Sequence, residues 1–295
     1  MTQLETRRQF LINGAATLLA ACARPLASAP NAEAPDAARL QAIEQQIGGR
    51  LGVCALDTQT GRQLVHRADE RFAMCSTFKW LLAAQVLARV GQGQLRLEER
   101  IAYDAGDLLE YAPVTREHVA QGALSVEELA RAAVVVSDNT AANLLLARLG
   151  GPPGLTQFVR SLGDATTRLD RNEPDLNVND PGDDRDTTSP RAMVELMQRI
   201  LCGKVLSAPG RERLIGWLQA CETGKQRLRA GLPAGWQVGD KTGTGHRGAC
   251  NDVAVAVPPG RSPVLIAVYL SESTASIELL QSAQADVARI VAAQI

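Results

Sequence analysis

Four short clusters of the 295-residue chain combine side chains able to do chemistry. Ser76-Thr77-Phe78-Lys79 sets a hydroxyl and an amine three residues apart, on one face of any helix that starts there. The free N–H groups of a helix start favour an oxyanion, and a neutral lysine nearby can take the serine proton. Taken singly, the tetrapeptide reads more readily as a serine cap and a solvent lysine. Ser137-Asp138-Asn139 places hydroxyl, carboxylate and amide side by side, enough to shuttle a proton and hold a substrate amide. Alone it reads as the cap of a helix entering Ala141-Ala142. Lys241-Thr242-Gly243-Thr244-Gly245 follows a strand-like Trp236-Gln237-Val238-Gly239, and its cation and two hydroxyls suit a strand against which a carboxylate-bearing ligand lies. Gly243-x-Gly245-x-x-Gly248 also fits a dinucleotide fingerprint, but that needs a helix next, and Asn251 to Val257 reads as a strand. Glu173-Pro174-Asp175-Leu176-Asn177 offers a carboxylate and an amide that can hold and activate one water. Pro174 makes the bond before it a candidate for cis, and Arg171 and Asp186 are placed to pin the base of this acidic loop as an ion pair.

The elements that must position these clusters follow from hydrophobic period. Leu40, Ile43 and Ile47 share one helical face, closed by Gly48-Gly49. Arg50 to Ala68 reads as a strand pair turning at Asp57 to Gly61. From about Phe72 to Leu206 helical patterns dominate, as in Thr77 to Val90, Val126 to Val136 and Ala141 to Leu149. Leu169 to Pro190 interrupts them, too long and polar for a simple connector. A helix over Arg211 to Ala220 precedes strands at Val238 to Thr244, Asp252 to Val257 and Val264 to Leu270. Ser276 to Ile295 closes as an amphipathic helix with Ile277, Leu280, Val287 and Val291 inward. The order predicts an α+β fold with an antiparallel sheet flanked by helices, formed by residues 37–70 and 211–295. Residues 71–210 form an all-helical lobe, and the site falls in the cleft between the two.

Lys plus Arg (31) balances Asp plus Glu (32) and aromatics are 3%, which argues against a nucleic-acid partner. His66, His118 and His246 form no ligand cluster, so no metal is expected, and no cofactor. Thr6-Arg7-Arg8-Gln9-Phe10-Leu11 and the Ala-rich run to Cys22 have the form of a twin-arginine export signal over residues 1–29. Ala27-Ser28-Ala29 is a cleavage site; alternatively Leu19-Ala20-Ala21-Cys22 resembles a lipobox, which would lipidate Cys22 and tether the protein to a membrane. A periplasmic monomer is expected, with residues 30–36 a flexible leader. Cys54, Cys75, Cys202, Cys221 and Cys250 are five, so at least one stays free in a monomer.

The order of the clusters, and their spacings of 61 residues from Ser76 to Ser137, 36 to Glu173 and 68 to Lys241, resemble those of the class A serine β-lactamases. The likeness spans residues 37 to 295. Leu109 to Thr115 is similar to the segment bearing the family's aromatic gate, and Arg168 to Thr188 to its omega loop. The resemblance implies hydrolysis of penicillins and cephalosporins, with Ser76 as nucleophile and Lys79 or Glu173 as its base. It implies a deacylating water held by Glu173 and Asn177, and proton delivery to the lactam nitrogen by Ser137 beside Lys241. Backbone N–H groups of Ser76 and Thr244 would form the oxyanion hole. Asn139 would hold the substrate amide, Tyr111 its ring, and Thr242 and Thr244 its carboxylate.

The sequence also departs from the family. Many relatives carry on the next strand an arginine that meets the carboxylate, where this chain has Cys250; Arg227 matches the alternative used by other members. Relatives that bridge the cysteine before the nucleophile use a partner position that here is Gly245, so that bridge cannot form as such; Cys75 and Cys250 read as two buried small residues, with a Cys75–Cys250 pair as the alternative. Asn172 stands where an aromatic is common. A D-Ala-D-Ala peptidase would share Ser76, Lys79, Ser137 and Lys241, and Glu173 with Asn177 argues against it. A β-lactam sensor domain predicts a membrane-coupled signalling segment and dead catalytic motifs, whereas the hydrophobic segment here is the export signal and all four motifs are intact.

Overall fold

The computed structural model describes residues 34–294. The twin arginines, the cleavage site, Cys22 and most of the expected leader lie outside the described residues. Helix α1 (Ala34–Ile47) starts within that leader and carries Asp36 in its first turn, where a carboxylate suits the helix dipole. It buries Leu40, Ile43 and Ile47, and Gly48, at φ +60°, turns the chain into β1 (Arg50–Asp57). β1 folds back through Gly61, at φ +78°, into β2 (Gln63–His66).

A two-residue strand, β3 (Phe72–Ala73), precedes α2 (Phe78–Gly91). α2 is buried without a break from Phe78 to Ala88, the pattern of a helix enclosed on every side. The helical half continues through β4 (Arg100–Ala102), α3 (Pro113–Glu117), β5 (Ala123–Ser125), α4 (Val126–Val135), α5 (Asn139–Arg148) and α6 (Gly151–Ser161). Ser125 and Glu128 make a reciprocal capping box at the head of α4. The polar segment 169–190 is a loop except for one 3₁₀ turn, Asp175–Asn177, and β6 (Thr187–Thr188), which pairs with β3. α7 (Pro190–Met197), α8 (Ala208–Gln219) and the one-turn α9 (Leu228–Gly231) lead to β7 (Gln237–Thr244), β8 (Cys250–Val257) and β9 (Val264–Ser271). α10 (Ile277–Ala292) closes the chain.

The five long strands form one antiparallel sheet in the order β2-β1-β9-β8-β7. Its faces are buried in two different cores, because side chains alternate along each strand. Leu51, Val53 and Ala55 of β1 pack with α1, α9 and α10, whereas Cys54 and Leu56 join the helical half around α2. The sheet order leaves β7 as an edge, hydrogen-bonded to β8 on one side.

One helix face departs from expectation. Ile277 is 39% exposed, whereas Leu280, Val287 and Val291 are buried. Ile277 is the first residue after the Ser276 cap, ahead of the turn where α10 meets the sheet, and Ala283 and Gln284 fill the inner face instead.

Candidate active site

Ser76 sits in a single 3₁₀ turn, Cys75–Thr77, that runs straight into α2; the regular helix begins two residues after it. Cys75 is held at φ +46°, a left-handed conformation costing a non-glycine residue about 1–3 kcal/mol. The turn is tied down by Met74 N–H on Asp186 O (2.8 Å) and by the Thr77 hydroxyl on Met74 O (2.8 Å). Ser76 Oγ is thereby aimed at Glu173 and donates to its Oε1 at 3.1 Å.

Because α2 is a core helix, Lys79, three residues after Ser76, is completely buried. Its ammonium meets Glu173 Oε1 (2.9 Å), Ser137 O (2.8 Å), Asn139 Oδ1 (2.5 Å) and Ser137 Oγ (3.3 Å). Burial pushes its pKa below the usual lysine value, and the Glu173 carboxylate pulls the other way.

Glu173 reaches this point on the 169–190 loop, which its own polar groups shape. Asp186, fully buried, accepts the N–H groups of Asp170 (2.7 Å) and Arg171 (2.9 Å) and the Arg171 guanidinium (2.5 Å), the expected ion pair. The Glu173–Pro174 bond is cis. Asn143 clasps the Glu173 backbone from both sides, donating to its carbonyl (2.9 Å) and accepting its N–H (3.0 Å). Asn177 Nδ2 donates to Glu173 Oε2 at 2.5 Å. One carboxylate oxygen therefore faces nucleophile and lysine, and the other faces Asn177.

The Ser137-Asp138-Asn139 cluster divides its duties. Asp138 is the cap foreseen for a helix entering Ala141-Ala142: it accepts Ala141 N–H (2.8 Å), and it also fixes the N–H groups of Val114 (3.0 Å) and Thr115 (2.9 Å). Those bonds fasten the loop that holds Tyr111, half exposed at 51%, over the cleft. Ser137, at φ +62°, turns its hydroxyl between Lys79 and Lys241. Asn139 Oδ1 accepts from the Lys79 ammonium, and Asn139 borders the cleft.

Lys241, buried on β7, donates to Ser137 Oγ (3.1 Å) and Thr242 O (2.9 Å). Burial pushes its pKa down to about 8, with the Lys79 charge acting in the same sense. Its positive charge is therefore complete below that pH and lost as pH rises through it. A kcat/KM profile should fall above pH about 8, and Lys241→Arg should remove that limb, because arginine stays charged. An unmoved limb would assign it to another group.

Arg227 precedes α9 and is 4% exposed, so it is no surface charge. It lies against β7, donating to Gly243 O (2.9 Å), Asn251 O (2.7 Å) and Thr244 Oγ1 (2.7 Å). Ser76, Tyr111, Ser137, Asn139, Asn177, Arg227, Thr242 and Thr244 together border a cleft of about 350 Å³, with Lys79, Glu173 and Lys241 buried beside it. Sequence reasoning missed three contributors. Thr223 lines the cleft and shares a 2.5 Å hydrogen bond with Thr242; no sequence signal marks it. Asn143 falls four residues after Asn139, on the same face of α5, a spacing that points it at the loop. Asp252 interrupts the apolar β8; burial and then neighbouring Asp240 hold its carboxyl well above the usual range.

The Beta-lactamase enzyme family matches residues 36–295. The chain belongs to the class A β-lactamases. Beta-lactamase AST-1 of Nocardia asteroides is 48% identical over 282 residues, covering 94% of this chain and 91% of the relative. The carbapenem-hydrolyzing beta-lactamase KPC of Klebsiella oxytoca is 50% identical over 228 residues, covering 77% and 78%. An ancestral (GNCA) class A β-lactamase structure superposes with a TM-score of 0.86 at 54% identity, over 88% of this chain and 99% of that one. The protein is thus an α+β class A β-lactamase, a hydrolase of β-lactam rings and a determinant of antibiotic resistance.

Its cysteines are all free thiols among the described residues. A Cβ on Gly245 would lie 2.6 Å from Cys75 Sγ and 2.7 Å from Asn177 O, so this β-lactamase brings strand, nucleophile turn and loop into contact through a glycine.

Proposed function

We propose that the enzyme hydrolyses penicillins and cephalosporins through an acyl-enzyme on Ser76, with Glu173 as general base in both half-reactions. The observation that carries this reading is the convergence of Ser76 Oγ and Lys79 Nζ on Glu173 Oε1 while Asn177 holds Oε2. In acylation Glu173 takes the hydroxyl proton directly, Ser76 Oγ attacks the lactam carbonyl, and the C–N bond breaks. Ser137, between two lysines, hands its proton to the departing nitrogen and is reprotonated from Lys79, which recovers a proton from Glu173 across their 2.9 Å contact and leaves the carboxylate ionised again. Ser76 and Thr244 N–H groups hold the oxyanion, each such donor being worth about 3–4 kcal/mol. In deacylation Glu173 and Asn177 hold a water, Glu173 takes its proton as the oxygen attacks the ester carbonyl, and that proton returns to Ser76 Oγ as the ester C–O bond breaks.

Tyr111 packs on the bound ring, Asn139 Nδ2 meets the side-chain amide, and Thr242, Thr244 and Arg227 receive the carboxylate. Arg227→Ala should raise KM for a penicillin roughly 10- to 100-fold and change kcat by no more than about threefold, the loss of one charge-assisted hydrogen bond to the ligand. Equal losses in kcat and kcat/KM would contradict the anchor role.

A D-Ala-D-Ala peptidase would share the serine and lysines but has no need of the Glu173–Asn177 pair. Steady-state assays with a penicillin, a cephalosporin and an acyl-D-Ala-D-Ala peptide separate the two. Turnover of both β-lactams without the peptide supports the proposal; turnover of the peptide alone overturns it. The twin-arginine segment supports export to the periplasm, with either cleavage after Ala29 or lipidation of Cys22 as a membrane tether.

A further inference from the structure

Asn251 is a fully buried amide on β8, next to the buried Asp252 and opposite Gly243 on β7 and Tyr269 on β9. A buried side-chain amide must satisfy its donors and acceptor within the protein. Here every such bond goes to main chain. Nδ2 donates to Ala73 O (2.8 Å) and Met74 O (3.1 Å), and Oδ1 accepts Leu270 N–H (3.3 Å). Ala73 and Met74 are the residues immediately before the strained Cys75 and the nucleophile. The side chain of Asn251 therefore clamps the nucleophile turn to the sheet.

Its backbone belongs to the opposite wall of the site. Asn251 pairs in register with Gly243, and Arg227 bridges the carbonyls of both. Gly243 presses on the same turn: a Cβ there would stand 2.6 Å from Met74 O and 3.1 Å from Thr77 N. The two oxyanion donors of the proposed mechanism come from separate segments, Ser76 from the turn and Thr244 from the edge strand β7. Nothing covalent fixes their separation, yet donors must sit within about 0.5 Å of the productive geometry to bind the oxyanion.

We propose that Asn251 is a positioning residue that sets the gap between the two halves of the oxyanion hole. This rests on the acyl-enzyme reading above and deepens it. Asn251 touches no substrate; it acts through the turn on one side and through Gly243 on the other.

The test uses Asn251→Ala, which removes the clamp, and Asn251→Ser, which is too short to reach both carbonyls but remains able to hydrogen-bond. Each is assayed for kcat/KM on a chromogenic cephalosporin and for affinity toward an arylboronic acid, whose tetrahedral adduct on Ser76 places an oxygen in the hole. The Kd of the hydrolysed penicillin, which keeps the amide, ring and carboxylate contacts but carries no tetrahedral oxyanion, is measured beside them. Active-site titration corrects for the folded fraction, and the serine variant keeps the test decisive if the alanine variant does not fold. The expected result is a parallel fall of kcat/KM and boronate affinity, roughly 10- to 100-fold, with product affinity within about threefold of the parent. Boronate affinity within about threefold of the parent overturns the proposal, whether activity persists or not. A parent enzyme that neither turns over the cephalosporin nor forms the boronate adduct would instead overturn the acyl-enzyme reading itself.

Discussion

Glu173→Gln is expected to lower kcat for a penicillin by roughly 10³- to 10⁴-fold, near the upper end of what one positioned general base supplies. The two half-reactions should suffer unequally. In acylation Lys79 and Ser137 remain in contact and offer a second route for the Ser76 proton. In deacylation the water has Glu173 and Asn177 alone, and a neutral amide at 173 cannot take its proton. The variant should show a burst of about one product equivalent per enzyme, followed by a slow steady state. Stopped-flow absorbance at the β-lactam band reads both phases. A full steady-state rate, or a slow rate with no burst, would contradict the assignment.

Ser76→Ala should reduce turnover by about 10⁶-fold, the scale found when a serine nucleophile is removed from a preorganised site. Binding should survive, because the carboxylate and amide contacts come from β7, α5 and Arg227, none of which depends on the Ser76 hydroxyl. Ser76 is half-buried and its side chain makes a single hydrogen bond, to Glu173, so Tm should move little. Calorimetric titration with intact penicillin would then yield a Kd without hydrolysis. Residual turnover above about 10⁻³ of the parent would identify another nucleophile.

The parts of the fold that were legible in the sequence are those with a strong period or strong punctuation. Leu40, Ile43 and Ile47 mark α1 because they recur at helical spacing, and the apolar runs of β8 and β9 mark the sheet. The sequence ends of elements were less clear. Ile277 fits the apolar stripe of α10 but stays exposed, since the first turn after a cap projects past the surface it packs on. The site was legible where side chains act at fixed local spacing, as in Ser76 with Lys79 or Glu173 with Asn177. The resemblance to known β-lactamases also carried Tyr111 and Arg227. It was not legible where the partner is a backbone group brought in by tertiary folding. Asn143 grips the Glu173 main chain, Asn251 grips the carbonyls before Cys75, and Thr223 meets Thr242. Asn143 alone leaves a local trace, its spacing from Asn139; Asn251 has none because a main-chain acceptor has no residue identity to read, and Thr223 has none because its partner Thr242 lies 19 residues away on β7. The near contact of Gly245 with Cys75 and Asn177 belongs to the same class.

The central claim is that Glu173 empties an acyl-enzyme formed on Ser76. Intact-protein mass spectrometry tests it most directly, with the parent enzyme and Glu173→Gln each quenched at successive times after mixing with one penicillin. The account predicts hydrolysed product and no lasting adduct on the parent, and a stoichiometric adduct on the variant that maps to the peptide containing Ser76. A parent adduct that persists for as long as the variant's would contradict it, because the loop water would then not be attacking the ester.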